Sequence, residues 1–225
     1  MKVKDWMTEN VIALNEEDNV IKAMQIFKEH QIRRIPVVRD GKLVGIITDR
    51  DIKSSTPPEA FSMDFYETYY LISNLRLKDI MTPNPITVSP EDEIEKAAIL
   101  MLEHKISGLP VVNEDLKILG IITQTDIFKA FVSMSGAFLE SYKAVLSVSS
   151  YKELHTLLEI LKDFNLPVSS VYNIICWKEE DCLEDNCKRE VILKLRIEDE
   201  ELANKVKEKL EKNFQLQYFT LVRNP

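Results

Sequence analysis

An internal repeat constrains this chain more than any other feature. Residues 3–39 laid over 77–113, an offset of 74, agree at 16 of 37 positions. VKDWMTENVIALNEEDNVIKAMQIFKEHQIRRIPVVR meets LKDIMTPNPITVSPEDEIEKAAILMLEHKISGLPVVN. One inserted residue then moves the offset to 75, and LVGIITDRDI meets ILGIITQTDI with six of ten positions identical. Self-similarity of this kind marks a duplicated module of roughly fifty residues.

Each copy reads the same way. Lys-Asp-x-Met-Thr leads into a short apolar strand, Val11–Leu14 or Ile86–Val88. Asn15 and Ser89 are suited to cap the helix that follows, with acids in its first turn. Val20, Ala23, Met24 and Phe27 recur at helical spacing and predict the buried face of the first helix, as Ile94, Ala97, Ala98 and Met101 do in the second. A strand, Ile35–Val38 or Leu109–Val112, comes next. Asp40-Gly41 predicts a tight hairpin turn in copy one, where copy two has Asn113-Glu114-Asp115. The third strand, Leu43–Ile47 or Ile118–Ile122, runs into a helix near Asp49 or Gln124.

Gly45-Ile-Ile-Thr48-Asp-Arg-Asp51 and Gly120-Ile-Ile-Thr123-Gln-Thr-Asp126 are the segments with chemical content. A Thr at a helix N-terminus sits where free N–H groups and the helix dipole favour an anion. An Asp three residues on lies one turn away, and its carboxylate has acceptor sites for a ribose diol. The same residues also suit plain capping, with Thr as the cap and Asp in the first turn.

Met-Thr, then Ile-Pro-Val-Val, then Gly-Ile-Ile-Thr-x-x-Asp resembles the cystathionine-β-synthase (CBS) domain, and the duplication over about residues 1–131 resembles a CBS pair. The resemblance implies two copies packed together around a twofold relation, leaving two clefts for adenosyl ligands. It implies ligand-binding roles for Thr48, Asp51, Thr123 and Asp126, with Ile12, Ile35, Pro36, Ile86, Leu109 and Pro110 around them. Copy one carries Arg33-Arg34 where copy two carries Ser107-Gly108. Arg pairs bidentately with phosphate, so Arg33 and Arg34 suit a phosphorylated nucleotide if they are not simply solvated, and the two clefts are expected to differ. His30 and His104 end equivalent helices, where a cation is favourable. Met7 and Met81 read as packing residues.

The expected domains are 1–55 and 77–135, joined by a linker at 56–76. Thr56-Pro57-Pro58-Glu59 reads as a turn, and Phe65, Tyr69, Ile72 and Leu75 then recur at helical spacing. The aromatic stripe of Phe65, Tyr66, Tyr69 and Tyr70 suits packing onto the pair or a dimer contact, with base stacking as the lesser option.

Residues 141–225 change character. Lys143–Val148, Val168–Trp177, Val191–Ile197 and Phe214–Val222 read as strands. Helices are expected at Leu154–Phe164, with Leu154, Leu157, Leu158 and Leu161 inward, and at Asp199–Asn213, with Leu202, Val206 and Leu210 inward. Along Val191–Ile197 the alternation places Lys194 and Arg196 on the polar side. The order β-α-β-β-α-β is the ferredoxin-like plan and resembles an ACT domain, so the fold class expected for the chain is α+β. The combination with a CBS pair resembles the AcuB-type family (acetoin utilisation). Amino-acid-binding ACT domains place Asp and Gly in the first strand–helix loop. Here that loop reads Ser149-Ser150-Tyr151-Lys152, which weakens an amino-acid site.

Composition removes other classes. There are five Gly, all within the first 136 residues, and the closest pair, Gly41 and Gly45, fits neither a P-loop nor a dinucleotide fingerprint. Net charge is −8, with 16 basic and 22 acidic side chains in residues 1–140 and 13 and 15 in 141–225, so nucleic acid is not expected as a partner. No apolar run approaches ~18 residues, and MKVKDWMTEN is no signal peptide, so no membrane association and a cytoplasmic location are expected. The three His, at 30, 104 and 155, accompany no recognisable nucleophile, so no catalytic residues and no enzyme activity are expected. Cys176, Cys182 and Cys187 lack a standard zinc spacing; an inert loop, a redox pair or a metal site remain open, and no metal is expected. The expectation is a homodimeric regulatory protein with an adenine nucleotide as regulatory ligand, no required cofactor and an unknown regulated protein. Its rivals are a dimeric adaptor that binds no ligand and a thiol or metal sensor.

Overall fold

The computed structural model describes residues 1–55, 74–137, 140–166, 168–174 and 189–223. The chain forms two compact units, Met1–Lys129 and Ala130–Pro225. The aromatic stripe at 65–70 and the three cysteines lie outside the described residues.

In the first unit β1 (Leu14–Asn15) lies parallel to β2 (Arg34–Arg39), with α1 (Val20–His30) as the crossover. Asp40 and Gly41, at φ of 50° and 76°, turn β2 into β3 (Lys42–Thr48). This is the two-residue hairpin that Asp-Gly predicts, since both central positions need positive φ. α2 (Asp49–Ser55) follows. Copy two gives α3 (Leu77–Ile80), β4 (Thr82–Pro83), α4 (Ile94–Glu103), β5 (Gly108–Val112), β6 (Ile118–Thr123) and α5 (Gln124–Met134). Its hairpin absorbs the inserted residue: Asn113 Oδ1 accepts the N–H groups of Asp115 and Lys117, and Leu116 takes φ 60°.

Two expectations need correction. The helices begin five residues after Asn15 and Ser89, with their cap positions four residues on. Asn19 caps α1 by accepting the Lys22 N–H, and Glu93 precedes α4. Asn15 and Ser89 instead head a tight turn before each helix, accepting from Glu17 N–H and Glu91 N–H while their own N–H groups donate to Asp18 and Asp92. A short polar side chain serves a turn as well as a cap, and spacing alone does not separate the two. Met24, expected in the core, is 43% exposed, because the buried stripe of α1 is as narrow as Val20 and Ala23.

The copies interlock at their starts. Val3 and Lys4 donate backbone N–H to the carbonyls of Asp92 and Pro90, and Leu77 and Lys78 donate to Asp18 and Glu16. These are the same contacts 74 residues apart, each running into the other copy. The Met-Thr segments continue the exchange. β4 pairs with β3 at Thr82↔Ile46 and Pro83↔Gly45, and Thr8 bridges Ile121. Val3 and Leu77 at the docking points are fully buried. Lys4–Glu91 and Lys78–Glu17 ion pairs repeat on the outside; exposed pairs of this kind contribute ~0–1 kcal/mol each, so burial and backbone pairing carry the docking.

The repeated glycines follow from this exchange. A Cβ on Gly45 would stand 2.2 Å from Met81 Sδ, and one on Gly120 would stand 2.6 Å from Met7 Sδ and 2.9 Å from the Thr8 carbonyl oxygen. Met7 and Met81 are packing residues, and each packs on the other copy's glycine.

In the second unit β7 (Ser141–Val148), α6 (Tyr151–Asp163), β8 (Val168–Ile174), β9 (Arg189–Leu195), α7 (Glu200–Asn213) and β10 (Gln215–Val222) give the expected β-α-β-β-α-β order. The sheet is antiparallel throughout, in the order β10-β7-β9-β8. Its core joins Ala144, Leu146, Leu193 and Leu195 to Leu157, Ile160, Leu161, Val206 and Leu210. Leu154 and Leu158, expected inward, are 38% and 57% exposed, and Ile160 takes the inward place. Lys194, expected on a polar side, is buried opposite Lys143, and burial lowers its pKa. No helix among the described residues is long and apolar enough to cross a membrane.

Gly120→Ala is expected to destabilise the first unit by about 1–3 kcal/mol through overpacking, and more than Gly45→Ala, because the Thr8 carbonyl is backbone while Met81 is a flexible side chain. Urea unfolding of both variants measures the difference. Glu16, Asp92 and Glu93 all lie beside the docked N-terminal turns, and hydrogen bonds from Arg39, Lys96 and Lys2 hold their pKa values below the ordinary carboxylate range. A depressed folded pKa contributes stability that is present above the unfolded pKa and lost as pH falls through the folded one. The melting temperature is therefore expected to fall as pH drops through and below ~4, with a shallower fall in Asp92→Asn; thermal melts across pH measure it.

Candidate functional site

A cleft of ≈ 840 Å³ opens within the first unit, walled by both copies. Copy one supplies Arg33 and Arg34 from the start of β2, Ile46 and Thr48 from β3, and Asp49, Arg50, Asp51 and Lys53 from α2. Copy two supplies Thr82, Asn84, Pro85 and Ile86 after its Met-Thr step, then Lys105 to Gly108 and Pro110. The exchanged β4 is what brings the Thr82–Ile86 wall beside Thr48.

Thr48 and Asp51 form a reciprocal pair at the head of α2. The Thr48 N–H and Oγ1–H donate to Asp51 Oδ2 at 2.7 and 2.6 Å, and the Asp51 N–H donates back to Thr48 Oγ1 at 3.3 Å. The carboxylate is thereby fixed in orientation. Among the described residues its Oδ1 has no protein donor, which leaves it free to accept from a ligand hydroxyl. Thr123 and Asp126 repeat the geometry at 3.0 and 2.7 Å. Asp126 is buried where Asp51 is half-exposed, and Lys129 Nζ lies 3.5 Å from its Oδ1.

Charge in the cleft runs against that of the chain. Arg33, Arg34, Arg50, Lys53 and Lys105 face Asp49 and Asp51, in a protein of net charge −8. A concave wall with an excess of cations raises the local concentration of anions. Of the cleft cations, Arg34 is the one most drawn into the protein. Its guanidinium donates to Ser107 O and Ser107 Oγ, and burial lowers its pKa, with Arg33 adding to the effect and Asp126 and Asp49 opposing it. It remains a cation at any ordinary pH.

The cleft thus gathers six of the sequence-derived residues: Arg33, Arg34, Thr48, Asp51, Ile86 and Pro110. Ile35 and Leu109 are corrections. Both are fully buried in the core, because successive residues of a strand point to opposite faces and their neighbours Arg34 and Pro110 take the cleft side. Ile12, Pro36, Thr123 and Asp126 do not line this cleft; they occupy the positions equivalent to Ile86, Pro110, Thr48 and Asp51 in the other copy. Sequence reading missed Lys105, Arg50, Lys53 and Asn84. The repeated Asn after Met-Thr was a signal for Asn84; the cations had none, because nothing local says which copy they face. His30 ends α1 and His104 follows α4, both exposed. No group of three or more metal-ligating side chains gathers among the described residues.

A family model described as the CBS domain matches residues 3–56 and 77–133. The first half of this chain is a CBS-domain pair. An inosine-5'-monophosphate dehydrogenase of Korarchaeum cryptofilum is 36% identical over 129 residues, covering 56% of this chain and 24% of that protein. The uncharacterized protein MJ1225 of Methanocaldococcus jannaschii is 36% identical over 130 residues, covering 57% of this chain and 46% of its own. This chain therefore spans less than half the length of either curated relative. The solved structure of MJ1225 matches with a TM-score of 0.52 over 58% of this chain and 47% of that one, at 35% identity. CBSX2 in complex with AMP matches with a TM-score of 0.50 at 28% identity, over 60% of this chain and 98% of that one. A Vibrio cholerae structure described as an acetoin utilization protein (AcuB) has the same TM-score of 0.50 and 28% identity, over 60% of this chain and 93% of that one.

The Thr–Asp pairs of the CBS domains also hold their helices. Asp51→Ala strips two donors of their acceptor and is expected to cost about 1 kcal/mol. Asp126→Ala is expected to cost more, because Asp126 is buried. Denaturant titration of the two variants gives the comparison.

Proposed function

We propose that the CBS pair senses an adenine nucleotide: AMP, ADP, ATP or a related adenosyl ligand. The observation that carries this reading is the oriented Asp51 carboxylate, with a free Oδ1, in a cleft dominated by cations. In this reading the ribose diol donates to Asp51, the phosphates meet Arg33, Arg34 and Lys105, and the base lies against Ile86 and Pro110. Similarity to CBSX2, solved in complex with AMP, supports the ligand class.

The role is regulatory, and no catalysis is assigned to the chain. A ligand held between the copies shifts the chain among its conformations by as much as its affinity differs between them. The second unit, with its β-α-β-β-α-β order, reads as an ACT-like domain of ferredoxin-like plan that passes the signal on as part of a cytoplasmic homodimer. With a CBS pair before it, the whole chain reads as AcuB-type, regulating another protein. An amino-acid site in its first strand–helix loop is disfavoured. Ser149 donates both N–H and Oγ–H to Glu153, and the Ser150 Oγ accepts the Glu153 N–H, so the loop's polar groups are already engaged.

One observation favours a second reading. The donors of Thr48 and Thr123 are satisfied internally, which is what a dimeric adaptor with vestigial clefts would need. Calorimetric titration with AMP, ADP, ATP and adenosine separates the two. Nucleotide sensing expects saturable binding that Asp51→Ala weakens by about tenfold or more, the equivalent of one charge-assisted hydrogen bond. No heat and no melting shift with any of the four would leave the adaptor reading.

A further inference from the structure

Arg34 and Gly108 occupy equivalent positions in the two copies, 74 residues apart, and they meet. The Arg34 guanidinium lies against Gly108 so closely that a Cβ there would stand 2.0 Å from Nη1 and 2.8 Å from Cζ. Nη1 donates to Ser107 O and Nη2 to Ser107 Oγ. The backbone of Ser107 is not idle. Its carbonyl also accepts the N–H of Gln124, the first residue of α5, and Gly108 is the register partner of Thr123. A guanidinium from copy one, facing the cleft of Thr48 and Asp51, is thus two hydrogen bonds from the helix start that sets Thr123 and Asp126.

Copy two has no cation of its own at this place, since Ser107-Gly108 stand where copy one has Arg33-Arg34. Copy two's own cation beside the pair, Lys129, is engaged with Asp126 at 3.5 Å, so at the start of β5 a phosphate would meet the same guanidinium that faces the first cleft. Resting on the nucleotide reading above, we infer that Arg34 is the specificity-determining residue shared by the two ligand positions. A phosphate bound in the Thr48–Asp51 cleft draws it off Ser107 and leaves the Thr123–Asp126 position fit for an uncharged adenosyl group rather than a second anion. The direction follows from bond strength: a guanidinium–phosphate pair is charged on both sides and is about twice as strong as a bond to a neutral carbonyl or hydroxyl. Moving Arg34 removes one of the two donors on the Ser107 carbonyl and takes a cation away from the start of β5, leaving Lys129, which is held 3.5 Å from Asp126 Oδ1.

Titration of the full chain with AMP and with adenosine tests this. AMP is expected to bind in two steps at least about tenfold apart, and adenosine, which carries no phosphate, to show no such separation. Arg34→Ala is expected to weaken the first AMP step about tenfold and bring the two steps within about threefold of each other, with Arg34→Lys restoring part of the first step because it keeps the charge without the fork. Ser107→Ala gives a readout that a merely structural Arg34 would not move: the first AMP step tightens several-fold, because the guanidinium gives up one hydrogen bond fewer on meeting phosphate. Two AMP steps of equal affinity, unchanged in Arg34→Ala, overturn the sharing and leave nucleotide sensing intact. Absence of binding by AMP and adenosine alike, in protein with an unaltered melting curve, overturns both.

Discussion

The exchange of Met-Thr segments between the two copies is the contact on which the rest of the first unit depends. Thr82 and Pro83 form a strand on copy one's sheet, and Thr8 bridges to copy two's. Neither copy is complete without the other, because each lends the other an edge. The close approach requires that no Cβ project from β3 or β6 at the crossing, and glycine stands at both places. The methionines that fill the space are unbranched and adaptable, which suits a gap of irregular shape. The cleft inherits its geometry from this arrangement, since the wall from Thr82 to Ile86 is the continuation of the exchanged strand.

Much of this was legible in the residues, and the divide between what was and was not is physical. Local signals held. Asp40-Gly41 predicts its hairpin because few other pairs tolerate two positive φ values. The alternation and helical spacing beyond residue 140 predict the β-α-β-β-α-β order, which the second unit has. Repetition singled out Thr48, Asp51, Thr123 and Asp126, and in both pairs the Thr N–H and Oγ1–H donate to the Asp carboxylate. What failed was anything decided by a partner distant in sequence. Asn15 lost the cap to Asn19, and Ser89 stands in the matching turn four residues before Glu93, which makes no side-chain cap, because turn and cap ask for the same side chains. Ile35 and Leu109 sat in the right strands with the wrong parity. The cross-copy pairing left a trace in Met7, Met81, Gly45 and Gly120, but only the fold says that each methionine belongs with the other copy's glycine.

In the cleft, two kinds of preparation coincide. The Thr48–Asp51 hydrogen bonds spend one carboxylate oxygen on holding the side chain and leave the second directed outward, so the ordering cost of that side chain is met in folding. The cations are gathered from three separate segments: the entry to β2, the helix α2 and the turn before β5. Their convergence in a chain of overall negative charge is a property of the fold and not of the composition. The two copies share the Thr-to-Asp hydrogen bonds that hold the carboxylate, but in copy two Lys129 stands at the second oxygen, and the cations of the strand entry differ.

The meeting of Arg34 with Gly108 also bears on which modules can pair. Two copies of the first module set face to face would bring guanidinium against guanidinium, two like charges competing for one seat. Two copies of the second would leave that seat unfilled. A large cation on one side and a missing side chain on the other make the unlike combination the favoured one, which is how charge and size discriminate between partners. The difference at this single pair of positions makes the contact between the two modules an unlike one. One large side chain and one missing side chain thus give the pair a lock-and-key preference for each other over a like partner.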